Sequence, residues 1–421
     1  MSAPAPAITP DAIDSPGMRH AGHELLSLAL MDARNHTLNL LAHYEQALGG
    51  QGMQVPQQDD LEPPLWLVGH LGWFAEFWIG RNTQRGLGPG CPAEPVRLAS
   101  IEPHADRWWS PMLVPHEARW LQQLPDVPAT RAWLLDTLET TLELLDKTPD
   151  EDDALYFYRL ALFHEDLRGE QLISIAQVLG LPLRLDLPGG VHQREPLVIP
   201  ATPWLLGLPP GGFVFDTEKW GYEVAVPEFE IDAQPVSWAQ FVEFVDDGGY
   251  DRPELWLPEG WDWLQKLAEG EGRRGPRYVE QIGVASGAVM QMHFGRSARM
   301  AGSQSTMHVS WWEADAWCRW AGRRLPAEVE WEVAAHAAAR RGFRWGDVRE
   351  WTATTLRPWP GFSPDPWTHG ADWSAQPWWG RAKVQRGASF ATRARMKHPK
   401  VRSFALPGRD DGFVGFRSCA L

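Results

Sequence analysis

FHEDLRGEQL, residues 163–172, decides how the first half of this 421-residue chain is read. It lies inside the run 150–180, whose acidic start suits a helix N-terminus and whose Gly180 suits a helix end. A histidine followed by two acids has the composition of a metal site. On a helix, the residue four positions on stands about 40° round and one turn away, where a second donor on the same face belongs. That residue is Arg168, and a guanidinium has no lone pair to give. Glu165 and Asp166 point about 100° and 200° away from His164, so neither replaces it on that face.

Working outward, residues 19–48 place Leu26, Leu30, Ala33, Leu38 and Leu41 at helical spacings, and 65–82 and 129–147 supply two further helical runs. Four long helices in succession imply a bundle, whose interior is where side chains of facing helices converge. His70, in LWLVGHLGWFAEFWIGRN, and His164 each sit on an apolar helix that turns one face inward. A lone histidine on such a face is ordinarily a satisfied core residue; two of them point to a shared metal site. A third donor would come from another helix, with His36 and His43 as candidates because seven residues apart they share a face.

The formal charge of -15 and the pI near 5.4 argue against nucleic acid or an anionic membrane as partner, since both need a positive field. Cys91, Cys318 and Cys419 are odd in number and far apart, which suggests neither a disulfide framework nor a thiolate metal site and suits a reducing cytoplasm. Residues 1–18 read as a disordered tail, with no run of apolar residues long enough to span a membrane. The 25 tryptophans serve either as filling for cores poor in regular structure or as an aromatic pocket for a cation.

Past the bundle, 19–182, the chain passes through a Pro- and Gly-rich linker, 183–215, into a mixed domain, 216–421, with brief alternating segments such as YEVAVPEFEID (222–232). Two helices stand out there, SWAQFVEFVDDGG (237–249) and SWWEADAWCRWAG (310–322). The fold class is therefore α+β with two domains. The basic stretch Arg386, Arg393, Arg395, Lys397, Lys400 and Arg402 is either a set of ion pairs or a rim that orients a substrate carboxylate.

The order of motifs in the second domain is specific: RLPAEVEWE at 324–332, RGASF at 386–390 and GFR at 415–417. This half resembles the formylglycine-generating-enzyme fold, a relative of the C-type lectin fold. The first half, with PPLWLVGHLGWFAEFW (63–78) and FHEDLRGEQL, resembles the DinB-like four-helix bundle. Joined in this order over residues 19–421, the pair resembles the ergothioneine sulfoxide synthases, with the selenoneine synthase branch nearest in ELLSLALMDARNHTLNLL and FHED.

The resemblance implies a non-haem iron, Fe(II), held by three histidines. His70 and His164 match two of them, and the third falls on Arg168. It implies O2-dependent joining of the imidazole carbon of Nα-trimethylhistidine to sulfur or selenium, giving a sulfoxide or selenoxide. Substrate contacts carried over by position are Ser403 and Phe404, with Trp351 and Phe390 as pocket walls. Ala405 stands where members that use γ-glutamylcysteine have an acid, which favours a neutral thiol or selenosugar. The family's proton-donating tyrosine has no match, since all six tyrosines lie at or before Tyr278 and residues 358–370 offer Phe362, Ser363 and Trp367 instead. The alternative is a metal-poor binding protein on the same scaffold, in which Arg168 pairs with Glu165 or holds an anion. Protein-modifying formylglycine chemistry is disfavoured, because Cys318 and Cys419 are poorly placed as a working pair.

Overall fold

The computed structural model describes residues 10–283, 288–369 and 372–421. Its first half is a bundle of α1 (His23–Leu48), α2 (Pro64–Ala75), a short α3 (Ala105–Trp109), α4 (Val127–Asp146) and α5 (Asp152–Val178). Asp126 caps α4 by accepting from the Ala129 N–H at 2.9 Å, and Asp152 and Asp153 occupy the positive first turn of α5. α2 runs directly into a π-helical turn, Glu76–Gly80, a distortion common beside functional sites. The expected tail is shorter than residues 1–18: Pro10–Asp14 and Pro16–His20 form two 3-10 turns, with Met18 buried and Arg19 paired to Glu218 at 2.7 Å. Residues 1–9 lie outside the described residues.

Tight helix approach in the bundle rests on two glycines of α2. A Cβ on Gly69 would collide with the Trp109 indole, and one on Gly72 with that of Trp133. Trp133 in turn donates its indole N–H to the Gly69 carbonyl at 3.1 Å. Gly69→Ala is expected to cost about 1–3 kcal/mol by overpacking, measured by denaturant unfolding. An unchanged midpoint would show that Trp109 has room to yield.

The second half holds small sheets rather than one large one. β1 (Leu197–Ile199) pairs with β4 (Phe229–Ile231), and β2 (Thr202–Leu206) with β3 (Tyr222–Val226), both antiparallel. Part of the expected linker is thus already sheet. β5 (Val279–Gly283), β6 (Ala288–His293) and β7 (Arg296–Met300) form a meander. β10 (Arg402–Ala405), β9 (Lys383–Gly387), β8 (Arg349–Thr355) and β11 (Val414–Phe416) make a four-stranded sheet in that order, with β8 and β11 parallel.

Four helices flank these sheets: α6 (Trp238–Asp246), α7 (Pro258–Glu271), α8 (Trp311–Trp320) and α9 (Glu328–Ala337). α6 and α8 open on capping boxes, Ser237 with Gln240 and Ser310 with Glu313. The sequence pattern shows α6 and α8 but not the other pair. α7 buries only Gly260 and Leu264, so its apolar stripe is faint. α9 is a ten-residue helix directly after Pro326.

Buried ion pairs join the two halves. Arg395 reaches Asp166 at 2.6 and 2.9 Å, Arg349 reaches Glu170 at 2.6 Å, and Arg19 reaches Glu218. Among the described residues no helix is long and apolar enough to cross a membrane.

Candidate functional site

The helices bring His70 and His164 together, with ring centroids 5.3 Å apart and planes at 62°. Both are about 1% exposed. Nδ1 of His70 bonds the Trp109 carbonyl at 2.9 Å, which makes Nδ1 the protonated nitrogen and leaves Nε2 with its lone pair. Nε2 of His70 and Nε2 of His164 are both buried without a hydrogen-bond partner. Phe74 stacks on His164 with centroids 3.7 Å apart, fixing that ring. Burial, then the Arg168 charge, holds both imidazoles well below the ordinary histidine pKa, so both are neutral donors at neutral pH.

The residues that follow His164 are each taken up by a different neighbour. Glu165 accepts from Arg34 of α1 at 2.8 and 3.1 Å and from Thr37 at 2.8 Å. Asp166 takes Arg395, and Glu170 takes Arg349, Ser389 and Thr392. The pairing of Arg168 with Glu165 considered from sequence is therefore not made. Arg168 gives Nη1 to Gln171 at 2.7 Å, lies 4.5 Å from the ring centre of Trp373, and leaves Nε and Nη2 buried and unpartnered. Burial is the main cause that pushes its pKa down to about 10.

The third-donor candidates on α1 face elsewhere. His36 packs beside Gly169, where a Cβ would stand 3.3 Å from its Cδ2, and His43 is exposed. Among the described residues no cluster of three or more His, Cys, Asp or Glu side chains is placed to hold a metal ion. The donors present fit a cation held by two imidazoles, and they do not fit a three-histidine set, because a guanidinium occupies the next turn of the face.

Beside His70 lies a cleft of about 400 Å³, counting its open mouth. Trp73, Phe74, Trp78, Trp367 and Trp373 form its aromatic walls, and the exposed His369 lines it as well. This is an environment for a quaternary ammonium. The walls from the second domain belong to a turn held from below: Thr368 Oγ1 donates to Asp216 at 2.7 Å, and Lys219 pairs with Asp365. Burial raises the Asp216 carboxyl to about 6. Tyr156 of α5 is buried near Asp365, and its phenol is pushed well above its ordinary pKa by burial and then by that carboxylate.

The other residues expected from sequence lie away from this cleft. Trp351 is fully buried in the core of the second domain, donating its indole N–H to the Val309 carbonyl at 2.9 Å, so it is core and not a pocket wall. Phe404 packs against a separate apolar cluster with Leu356 and Val384. Ser403 receives Arg349 Nη1 at 3.3 Å. Phe390 meets Phe413 edge to face, 4.7 Å between centroids, at the margin of the core that contains Phe74.

The basic stretch is consumed internally. Arg386 and Lys400 pair with Glu332, Arg402 with Glu328, Arg393 with Asp32 and Arg395 with Asp166, while Lys397 donates to the Gly346 carbonyl. Of the features that matter, the walls at Pro366, Trp367, His369 and Trp373 carried no sequence signal beyond their tryptophans.

Comparison with known proteins agrees with this architecture. Residues 32–173 match the DinB superfamily, and residues 193–347 match the sulfatase-modifying factor enzyme 1-like domain. Hercynine oxygenase of Mycolicibacterium smegmatis is 29% identical over 455 residues, covering 94% of this chain and 98% of that protein. Hercynine oxygenase of Mycobacterium tuberculosis is 28% identical, with 94% of this chain and 98% of that protein covered. The formylglycine-generating enzyme of Mycobacterium tuberculosis is 32% identical over 167 residues, 34% of this chain and 54% of that protein. Matched nearly from end to end, the chain is similar to enzymes named hercynine oxygenase, and its two halves match the DinB superfamily and the sulfatase-modifying factor enzyme 1-like domain.

Proposed function

We propose that the protein is an O2-dependent oxygenase that joins the imidazole carbon of Nα-trimethylhistidine (hercynine) to the sulfur or selenium of a small cosubstrate. One C–H and one S–H or Se–H bond are lost, and a C–S or C–Se bond forms. One oxygen atom becomes the sulfoxide or selenoxide and the other leaves as water, so a single O2 accounts for all four electrons. The observation that carries this reading is the pair of neutral imidazoles, Nε2 of each unpartnered, beside an aromatic cleft in a chain homologous to hercynine oxygenases. His70 and His164 would hold Fe(II), which when bound supplies the activation of O2.

The chain's own residues do the rest. Trp109 fixes the tautomer of His70, and Phe74 fixes the plane of His164. The aromatic walls receive the trimethylammonium group and exclude water. Asp216, raised to about 6 by burial, stands behind the wall that Thr368 anchors and is mostly ionised at neutral pH, accepting the Thr368 hydroxyl. Arg386, Lys400 and Arg402 of the basic stretch are tied up in ion pairs, which with Ala405 favours a neutral thiol or selenosugar over a glutamyl cosubstrate. The three buried, unpaired cysteines suit a cytoplasmic setting.

The test is incubation of the protein, loaded anaerobically with ferrous iron and then given O2, with Nα-trimethylhistidine and a thiosugar, a selenosugar or γ-glutamylcysteine, followed by mass analysis. An adduct with a sugar-borne chalcogen, lost in His164→Ala together with the bound iron, is the expected result. Reaction with γ-glutamylcysteine alone would overturn the neutral cosubstrate. No adduct and no iron at any loading would favour a metal-poor binding protein.

A further inference from the structure

Arg168 is out of keeping with its surroundings. It is 4% exposed, it stands on the turn after His164, and it has one hydrogen-bond partner, Gln171. Its two unpartnered groups are Nε and Nη2, which together form one edge of the guanidinium fork. That edge presents two roughly parallel N–H bonds and matches the two oxygens of a carboxylate. An unmade bond at a buried charged donor is costly, so such an edge calls for a partner, either water or a ligand.

The nearby acids do not fill the role. Arg119 takes Glu62 Oε1 at 2.5 Å and Asp372 Oδ2 at 2.6 Å; Glu62 Oε2 is buried without a partner and makes no hydrogen bond to Arg168 among the described residues. These two acids and two arginines sum to no net charge, so a free anion would unbalance the site, whereas a zwitterion would not. Trp373 faces Arg168 on one side and contributes to the cleft wall on the other, placing the guanidinium one ring behind that wall. The same wall offers aromatic faces for a quaternary ammonium.

We infer that Arg168 is the receptor for the carboxylate of a zwitterionic imidazole betaine, whose quaternary ammonium lies among the aromatic rings of the cleft and whose imidazole meets His70 and His164. This rests on the substrate reading above and adds to it the anchor of the substrate's acid end. Arg168 is thus a substrate-binding side chain that occupies the turn where a third metal donor would otherwise lie.

The experiment is anaerobic, metal-free calorimetric titration with Nα-trimethylhistidine and with the same amine lacking its carboxylate, on the parent chain and on Arg168→Gln and Arg168→Lys. The parent chain is expected to prefer the carboxylate-bearing ligand by about 10–100-fold, the range of a charge-assisted bidentate contact. Arg168→Gln should bind both ligands alike, and Arg168→Lys should keep part of the preference. Equal affinity of the parent chain for the two ligands would overturn the inference while leaving the substrate reading standing, and this arm needs no variant to fold. A preference that survives in Arg168→Gln would place the carboxylate elsewhere. Binding of neither ligand, by the metal-free protein and by the protein loaded anaerobically with Fe(II), would remove the substrate reading and the inference together.

Discussion

Arg168→His is expected to tighten the binding of ferrous iron about 100-fold, or about 2.7 kcal/mol. The reasoning is geometric. Position 168 lies one turn beyond His164 on the same face of α5, so an imidazole there joins two rings whose centroids are 5.3 Å apart and whose Nε2 atoms are both buried and unpartnered among the described residues. The substitution also removes a buried positive charge from beside the cation, and that charge is second only to burial in lowering the pKa of both imidazoles. Two neutral donors give a weak site; a third completes a facial set with open positions for substrate and O2. Anaerobic titration with a competing chelator measures the change. An affinity equal to the parent's would mean that the two rings do not address a common ion. If the inference about Arg168 holds, the same variant trades carboxylate recognition for metal affinity, and the two titrations move in opposite directions.

Asp166→Ala is expected to destabilise the protein by about 3–5 kcal/mol. Its carboxylate takes both Nε and Nη2 of Arg395, at 2.6 and 2.9 Å, and the two side chains are 1% and 0% exposed. Truncation leaves a desolvated guanidinium with Asp32 as its remaining strong partner, at 2.9 Å. Removing both charges with Asp166→Leu and Arg395→Met should cost much less than the single change, because the loss comes from stranding one charge and not from the net worth of the pair. Guanidinium chloride unfolding reads both variants. A single-variant loss below about 1 kcal/mol would show that the pair does not fix the second domain to α5.

Much of the bundle was legible because burial follows a period near 3.6 and the breakers are unambiguous. The runs at 19–48, 65–82, 129–147 and 150–180 overlap the four long helices, with α2 and α4 beginning one and two residues earlier, and the inward faces placed His70 and His164 together. Residues assigned by motif position in the second domain fared differently. Trp351 lies within β8, where alternate residues turn to opposite faces, and a motif match does not say which face is buried. Phe404 is in β10 of the same sheet and turns to a separate cluster. The fate of the basic stretch could not be read either: whether Arg386 or Arg402 faces solvent depends on Glu332 and Glu328, which only the folded chain brings alongside. Of the cleft walls, Trp367 sits in a single 3-10 turn, Pro366–Thr368, and Trp373 outside regular structure, so neither has a period to follow.

The three acids of residues 163–172 each tie the helix to a separate place, Glu165 to α1 and Asp166 and Glu170 to two points on the second domain. With its azimuth locked at three anchors, α5 presents position 168 to the cavity whatever residue is installed there. A lineage could therefore exchange a donor for a cation, or the reverse, by single-codon steps and without rebuilding the scaffold, so chemistry at this position is free to diverge while the architecture around it stays the same.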